Sequence, residues 1–301
     1  MELVIRSIGK VDFADIFIDS VSVIAGYNGS GKTTISKCLY GMLELLGLDK
    51  VDENVVKDYT LKLFSGQMTT FGRDALDHLQ IIDGDEHLSL LRVGSQKLEI
   101  DKTAGKKINV VYLRSPSRWS DSFSDQLRQD LTKPLLKDAD SLLDEYRSIL
   151  DYNASGYLKK TDHGYVYVDQ DFPDCEISLD NTASGVMIFL ELSRLIGNGT
   201  LTPNSVLIID EPETNLHPEK QVALARMLVA LSKKFNIKMF LSSHNIYFIR
   251  ALEVALGEEE LADYHFYSMK KDKDTRLFSA VDVTENLEVI YNDLYSPMED
   301  L

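Results

Sequence analysis

Residues 26–33 read Gly-Tyr-Asn-Gly-Ser-Gly-Lys-Thr. No other stretch restricts the fold so tightly. The pattern G-x-x-x-x-G-K-[S/T] carries meaning only between an apolar strand and a helix. Both flanks are present: SVSVIAG at 20–26 and TTISKCLYGMLELLG at 33–47. The glycines let the backbone turn several N–H groups onto one phosphate. The start of the following helix adds partial positive charge. Lys32 is expected to reach the β- and γ-phosphates of a nucleotide, and the Thr33 hydroxyl to ligate Mg²⁺. The nucleotide cradle is expected from Gly26, Tyr27, Asn28, Gly29, Ser30, Gly31, Lys32, Thr33 and Thr34.

A second feature answers the first. Residues 206–217 read VLIIDEPETNLH, an apolar strand that runs into two adjacent carboxylates. One acid at a strand end can be a cap, but two need a charge to face. A strand ending in Asp is the partner element of such a phosphate loop. Asp210 is therefore expected in the Mg²⁺ shell, directly or through water. Glu211, one residue further out, is expected to polarise the attacking water. The strand IKMFLSS (237–243) ends in Ser242 and Ser243, followed by His244 and Asn245. His244 is expected to contact the γ-phosphate, as donor or acceptor according to its tautomer. Lys32, Glu211 and His244 are thus the candidate catalytic residues, and Thr33 and Asp210 the candidate metal ligands.

The rest of the chain fits around these motifs. ELVIRSI (2–8) and DFADIFID (12–19) alternate as a half-buried antiparallel pair. After residue 165, GYVYVD and CEISLD read as strands, followed by helix 184–197, strand 205–210, helix 218–235, strand 237–243 and helix 245–257. A hairpin over 264–283 and a short helix through 295 follow. This alternation predicts an α/β fold with a mostly parallel sheet flanked by helices. Within 48–165, residues 51–64 read as a helix, LSLLRV, KLEI and KINVVYLRSP as strands, and 131–150 as one long helix with Pro134 near its start. The turn-rich stretches 114–126 and 151–164 suggest lobe boundaries. The expected organisation is a core of 1–47 and 166–301 with an inserted helical or mixed lobe at 48–165.

Composition excludes several classes. With 44 % apolar residues a sizeable core can form, and no run approaches the ~18 apolar residues of a membrane span. The N-terminus lacks a signal-peptide core, so a cytoplasmic protein is expected. Cys38 and Cys175 make no disulfide framework, and Cys38 reads as a buried thiol. A net charge of −16 argues against nonspecific nucleic-acid binding by the whole surface. Local basic candidates are Lys102, Lys106, Lys107, Arg114 and Arg118, and then Lys270, Lys271, Lys273 and Arg276.

Together the phosphate loop, the DEPETNLHP phrase and the downstream SSHN resemble the ABC-type ATPases. Within them the match is to the branch holding the SMC and RecF-like repair ATPases and the OLD-like ATPases of bacterial defence systems. The resemblance covers about 1–47 and 175–300. It implies a signature element ahead of helix 184–197, filled here by Asn181-Thr182-Ala183-Ser184-Gly185-Val186. Ser184 and Gly185 match, while Val186 and Met187 replace the second glycine and the glutamine. Their implied role is to hold the γ-phosphate of the opposite subunit, with ATP sandwiched in a homodimer. His217 stands where the family often carries Asp, which makes it an interface candidate or a helix cap. The family's glutamine loop has no clear match; Gln67 and Gln80 are candidates. Phe13 and Tyr27 are candidates for adenine stacking.

The stretch from Lys32 to Asp210 is longer than a transporter subunit needs and far shorter than SMC coiled coils. The tail after His244 is too short for the TOPRIM nuclease domain of OLD nucleases. The expectation is an ATP hydrolase acting as a nucleotide-switched dimer. It would regulate a separate effector, a nuclease or toxin, in bacterial anti-phage defence. A DNA-repair ATPase that binds DNA directly is the alternative, and a transporter ATPase subunit a weaker one. A P-loop small-molecule kinase would give no reason for Glu211 beside Asp210. No membrane partner is expected.

Overall fold

A computed structural model describes residues 1–64, 78–93, 97–103, 105, 107–114, 124–136, 141–162, 164–182 and 184–295. Its centre is a parallel run of strands. These are β3 (Val21–Ala25), β7 (Val110–Arg114), β11 (Val206–Asp210), β12 (Lys238–Ser243) and β13 (Tyr264–Lys271), adjacent in the order β13-β3-β12-β11-β7. Antiparallel strands extend this run. β14 (Phe278–Asp282) returns on β13 and lies parallel to β2 (Val11–Phe17), which pairs antiparallel with β1 (Glu2–Ile8). Next come β4 (His78–Asp83), β5 (Glu86–Val93) and β6 (Lys97–Lys102), all antiparallel. Among the described residues the sheet has eleven strands.

β3, β7 and β11 are near-continuous apolar runs because both their faces are covered. Alternate residues sort cleanly. Val21, Val23, Leu207, Ile209, Met239 and Leu241 pack with helices α5 (Ser184–Gly197), α6 (Pro218–Phe235) and α7 (Ile246–Glu258). Ile24, Val206, Ile208 and Phe240 pack on the other face with α1 (Lys32–Leu46) and the antiparallel strands. The period-2 alternation of a strand thus feeds two separate cores.

Three readings of the sequence are corrected. The helix expected over 131–150 is two: α3 (Ser124–Thr132) stops two residues ahead of Pro134, and α4 (Ser141–Ala154) starts afresh. Proline disfavours helical geometry in the residue before it, which explains the stop. The turn-rich boundary at 151–164 contains the end of α4 and strand β8 (Gly156–Thr161). β8 forms a small antiparallel sheet with β9 (Gly164–Asp169) and β10 (Glu176–Ser178). The segment 48–165 is less separate than expected, since β4 to β7 are hydrogen-bonded into the main sheet. Outside the hydrogen bonding of that sheet, α3 packs on β7 and α5, and α4 and α5 pack on β8 of the three-stranded sheet. Cys38 is buried and Cys175 exposed, both as free thiols. Among the described residues no helix is long and apolar enough to cross a membrane.

Candidate functional site

The parallel register decides where the motifs meet. Ser242 lies opposite both Asp210 and Ile24, Ser243 opposite Ala25, and Asp210 opposite Arg114. The carboxyl ends of β3, β7, β11 and β12 therefore come level at one edge, the usual position of a ligand site in an open α/β sheet.

The phosphate loop leaves β3 and enters α1 at this edge. Gly29 and Gly31 take left-handed φ values of 74° and 103°. A Cβ at Gly31 would stand 2.7 Å from Val11 Cγ2, so both backbone and space demand glycine. No side chain caps the start of α1, which leaves its first N–H groups to a ligand. Ser30 Oγ is buried without a partner. Lys32, 5 % exposed, donates from Nζ to the carbonyls of Gly26 at 2.7 Å and Tyr27 at 3.0 Å. Burial lowers its pKa, while Glu211, Asp210 and Glu213 pull it back up. Tyr27, Asn28 and Gly29 form the exposed tip. The Tyr27 hydroxyl donates to the Asp293 carbonyl in α8 (Glu288–Tyr295), which ties the loop to the C-terminal helix. Thr33 and Thr34 lie in the first turn of α1, partly buried.

Asp210, 2 % exposed, receives three hydroxyls. Ser36 and Ser242 donate to Oδ1 at 2.7 and 2.6 Å, and Tyr112 donates to Oδ2 at 2.7 Å. Burial and the Asp210 charge push the Tyr112 pKa well above its usual range, so it stays a donor. Sequence reasoning missed Tyr112 and Ser36. Ser36 was legible as one helical turn beyond Lys32, but Tyr112 looked like one more apolar strand residue.

Glu211 has a left-handed φ of 51°, a strained backbone for a non-glycine residue at the point where the acids leave β11. Its Oε1 lies 3.1 Å from His244 Nδ1. This hydrogen bond lowers the Glu211 pKa and raises that of His244. Lys32 and Arg114 also lower that of Glu211. Glu213 is buried behind the pair, and Ser243 Oγ donates to its Oε1 at 2.6 Å. Glu213 is not among the residues singled out from the sequence.

The other candidates fall as follows. Ser184 opens α5 and Gly185 follows it; a Cβ on Gly185 would lie 2.3 Å from the Asn215 carbonyl oxygen. The signature candidate therefore abuts the loop that follows Asp210 and Glu211. Ala183 lies outside the described residues, as do Gln67, Lys106 and Arg118. Gln80 sits on β4, in the antiparallel half of the sheet and away from the parallel edge. Phe13 is covered by the Arg6 guanidinium at 5.0 Å. His217 is the N-cap of α6, accepting from Glu219 N at 3.4 Å. Lys270 pairs with Asp293.

The residues fit a nucleotide phosphate, given the uncapped helix start, the unpartnered Ser30 hydroxyl and the glycine geometry. They also fit Mg²⁺. Among the described residues no group of three or more His, Cys, Asp or Glu could hold a metal alone. Asp210 supplies one carboxylate at the strand edge and Thr33 one hydroxyl in the first turn of α1, the kind of oxygen donors that Mg²⁺ takes beside phosphates and water.

A family model described as an AAA ATPase domain matches residues 79–249, more than half of the chain. The match contains Asp210, Glu211 and His244 and starts beyond the phosphate loop. A curated relative, the probable ABC transporter ATP-binding protein p29 of Mesomycoplasma hyorhinis, is 22 % identical over 103 residues. That is 34 % of this chain, and the chain spans only 39 % of that protein's length. The SMC head domain from Thermotoga maritima is similar in fold, with a TM-score of 0.51 and 14 % identity over 94 % of this chain and 98 % of that one. The Smc head domain of Pyrococcus furiosus, solved with an extended coiled coil and bound to the C-terminal domain of ScpA, gives 0.54 and 11 % over 99 % and 98 %. The fold is that of the SMC head domains, a P-loop α/β fold, and the chain belongs to the family of AAA ATPase domains.

Proposed function

We propose that the chain is an ATP-driven switch that binds ATP with Mg²⁺ and cleaves the β–γ phosphate bond with water. One observation carries this reading: Lys32, Asp210, Glu211 and His244 converge at the carboxyl edge of the parallel strands. Lys32 exchanges the carbonyls of Gly26 and Tyr27 for phosphate oxygens. Ser30 and the free N–H groups at the start of α1 hold the same phosphates. Thr33 and Asp210 would hold the Mg²⁺, which neutralises charge developing on the β- and γ-phosphates. Glu211 takes the proton of the attacking water, and the His244 imidazole, anchored on Glu211, faces the γ-phosphate. Positioning and electrostatics then supply most of the acceleration.

The dimer belongs to the same proposal. Ser184 and Gly185 of one copy close on the γ-phosphate in the other, so ATP stabilises the closed pair and ADP releases it. The switched pair controls a separate effector, a nuclease or toxin, in bacterial anti-phage defence. The DEPETNLHP phrasing and the acidic charge support this. The test is ATPase activity and nucleotide binding, with light scattering in ATP and in ADP. Lys32→Ala is expected to lose nucleotide binding. Glu211→Gln is expected to keep it and lose turnover on the order of 10²–10³-fold. Normal turnover in Glu211→Gln would remove Glu211 from the water-polarising role.

A DNA-binding repair ATPase is the second reading, favoured by the SMC-head fold over nearly the whole chain. It requires DNA retention that weakens steeply with salt despite the charge of −16.

A further inference from the structure

Three acids leave the end of β11, and each meets a residue at the end of β12. Asp210 pairs with Ser242, Glu211 with His244, and Glu213 with Ser243. The first two pairs belong to the proposed chemistry. The third has no role in it, yet Glu213 is only 3 % exposed. Its Oε2 is buried without a partner. Burying a carboxyl with one oxygen unpaired is costly, and a turn after a strand does not require it.

We propose that Glu213 is a positioning residue that acts through the Ser243 hydroxyl to hold His244 against Glu211. The inference rests on the ATPase reading above.

Ser243 is the junction of the site. Its Oγ donates to Glu213 Oε1 at 2.6 Å and accepts from Asn245 N at 3.0 Å. His244 is thereby bracketed: the residue before it and the residue after it share one hydroxyl. Asn245 in turn accepts from Tyr247 N and Phe248 N, so the bracket continues into α7. The Ser243 carbonyl accepts from Gly26 N at 3.3 Å, where the phosphate loop begins. One carboxyl thus fixes a residue whose hydroxyl joins the acid loop to the His244 turn and whose carbonyl meets the phosphate loop. The charged groups facing His244 are Glu211, Glu213 and Lys32, and Arg114 also faces Glu211. Burial raises the Glu213 pKa against the pull of the Ser243 bond.

The test uses the full chain with Ser243→Ala, Glu213→Leu, Glu213→Gln and the double variant Glu213→Leu/Ser243→Ala. It reads kcat, KM for ATP, and the His244 titration by NMR without nucleotide. Ser243→Ala and Glu213→Leu are expected to lower kcat about tenfold while KM for ATP stays within about twofold. The double variant loses no more than Ser243→Ala alone, since that variant already removes the Glu213 bond together with the Asn245 one. Glu213→Gln, whose amide oxygen still accepts from Ser243, recovers most of the loss seen in Glu213→Leu. The His244 titration falls back towards the ordinary histidine range in Ser243→Ala and Glu213→Leu. Wild-type kcat and an unmoved His244 titration in those two variants would overturn the proposal, as would losses that add in the double variant. The NMR arm separates the two failures. If the wild-type chain hydrolyses no ATP while the titration shifts as stated, the ATPase reading fails and the bracket stands. Hydrolysis that ignores the variants sinks the bracket alone.

Discussion

The Tyr112 hydroxyl donates to Asp210 Oδ2 over 2.7 Å, from one parallel strand to its neighbour. With Ser36 and Ser242 on Oδ1, it completes a set of hydroxyl donors around a buried carboxylate. Tyr112→Phe keeps the ring in the core and removes this donor. It is expected to cost about 1–3 kcal/mol, the usual price of stranding a buried charged acceptor. Urea denaturation at neutral pH reads it directly. An unchanged midpoint would mean that Ser36 and Ser242 satisfy Asp210 alone.

The Glu211–His244 pair makes stability depend on pH in a defined window. Their hydrogen bond holds Glu211 below its usual 4.5 and His244 above its usual 6.5. The Glu211 contribution is present above 4.5 and is lost as pH falls through its depressed folded value. The His244 contribution is present below 6.5 and is lost as pH rises through its raised folded value. The pair therefore contributes most between these two pH values. With side chains 31 % and 40 % exposed, the effect is small and weakens with salt. Unfolding free energies of the wild type and His244→Gln should differ most inside the window and converge as pH rises past the raised folded value of His244. A difference independent of pH would refute the pairing.

Gly185 has no room for a side chain. Alanine there would place Cβ 2.3 Å from the Asn215 carbonyl oxygen and 3.1 Å from its carbon, so backbone must move. Gly185→Ala is expected to lose about 1–3 kcal/mol in a thermal or urea melt. ATP-dependent dimerisation should fall further than stability alone accounts for, because the shift opens the gap between α5 and the 215–216 loop. Unaltered light scattering in ATP would take Gly185 out of the proposed sandwich.

The two helix caps should differ in strength. Asn245 accepts two N–H groups, at 2.9 and 3.2 Å, whereas His217 accepts one at 3.4 Å. Asn245→Ala is expected to cost about 1 kcal/mol and His217→Ala clearly less. Equal losses in urea would show that His217 contributes by something other than capping.

The elements that carry the site were legible because each combines an apolar run with an unusual polar ending. β3, β11 and β12 were read with nearly their observed bounds, and so were α5, α6 and α7. Their partners were not legible, because parallel register sets them. Nothing local to Tyr112 says that it stands beside Asp210. Glu213 lies in a turn, and only the return of β12 encloses it. β8 was missed for a different reason. GYLKKT shows one side chain in two to solvent and has no apolar period to read. The split between α3 and α4 was written in Pro134, which was read as tolerated within a helix when it marked an end.

Cys38 is buried, and burial pushes its thiol up to about 12. Cys175 is exposed, in the turn just ahead of β10. These are the only two cysteines of the chain. A maleimide dye added to the native protein is therefore directed to one position without any engineered substitution. That position lies a few residues before the turn that leads into Ser184 and Gly185. The unmodified sequence thus provides its own fluorescent reporter on the segment expected to move when two copies close around ATP.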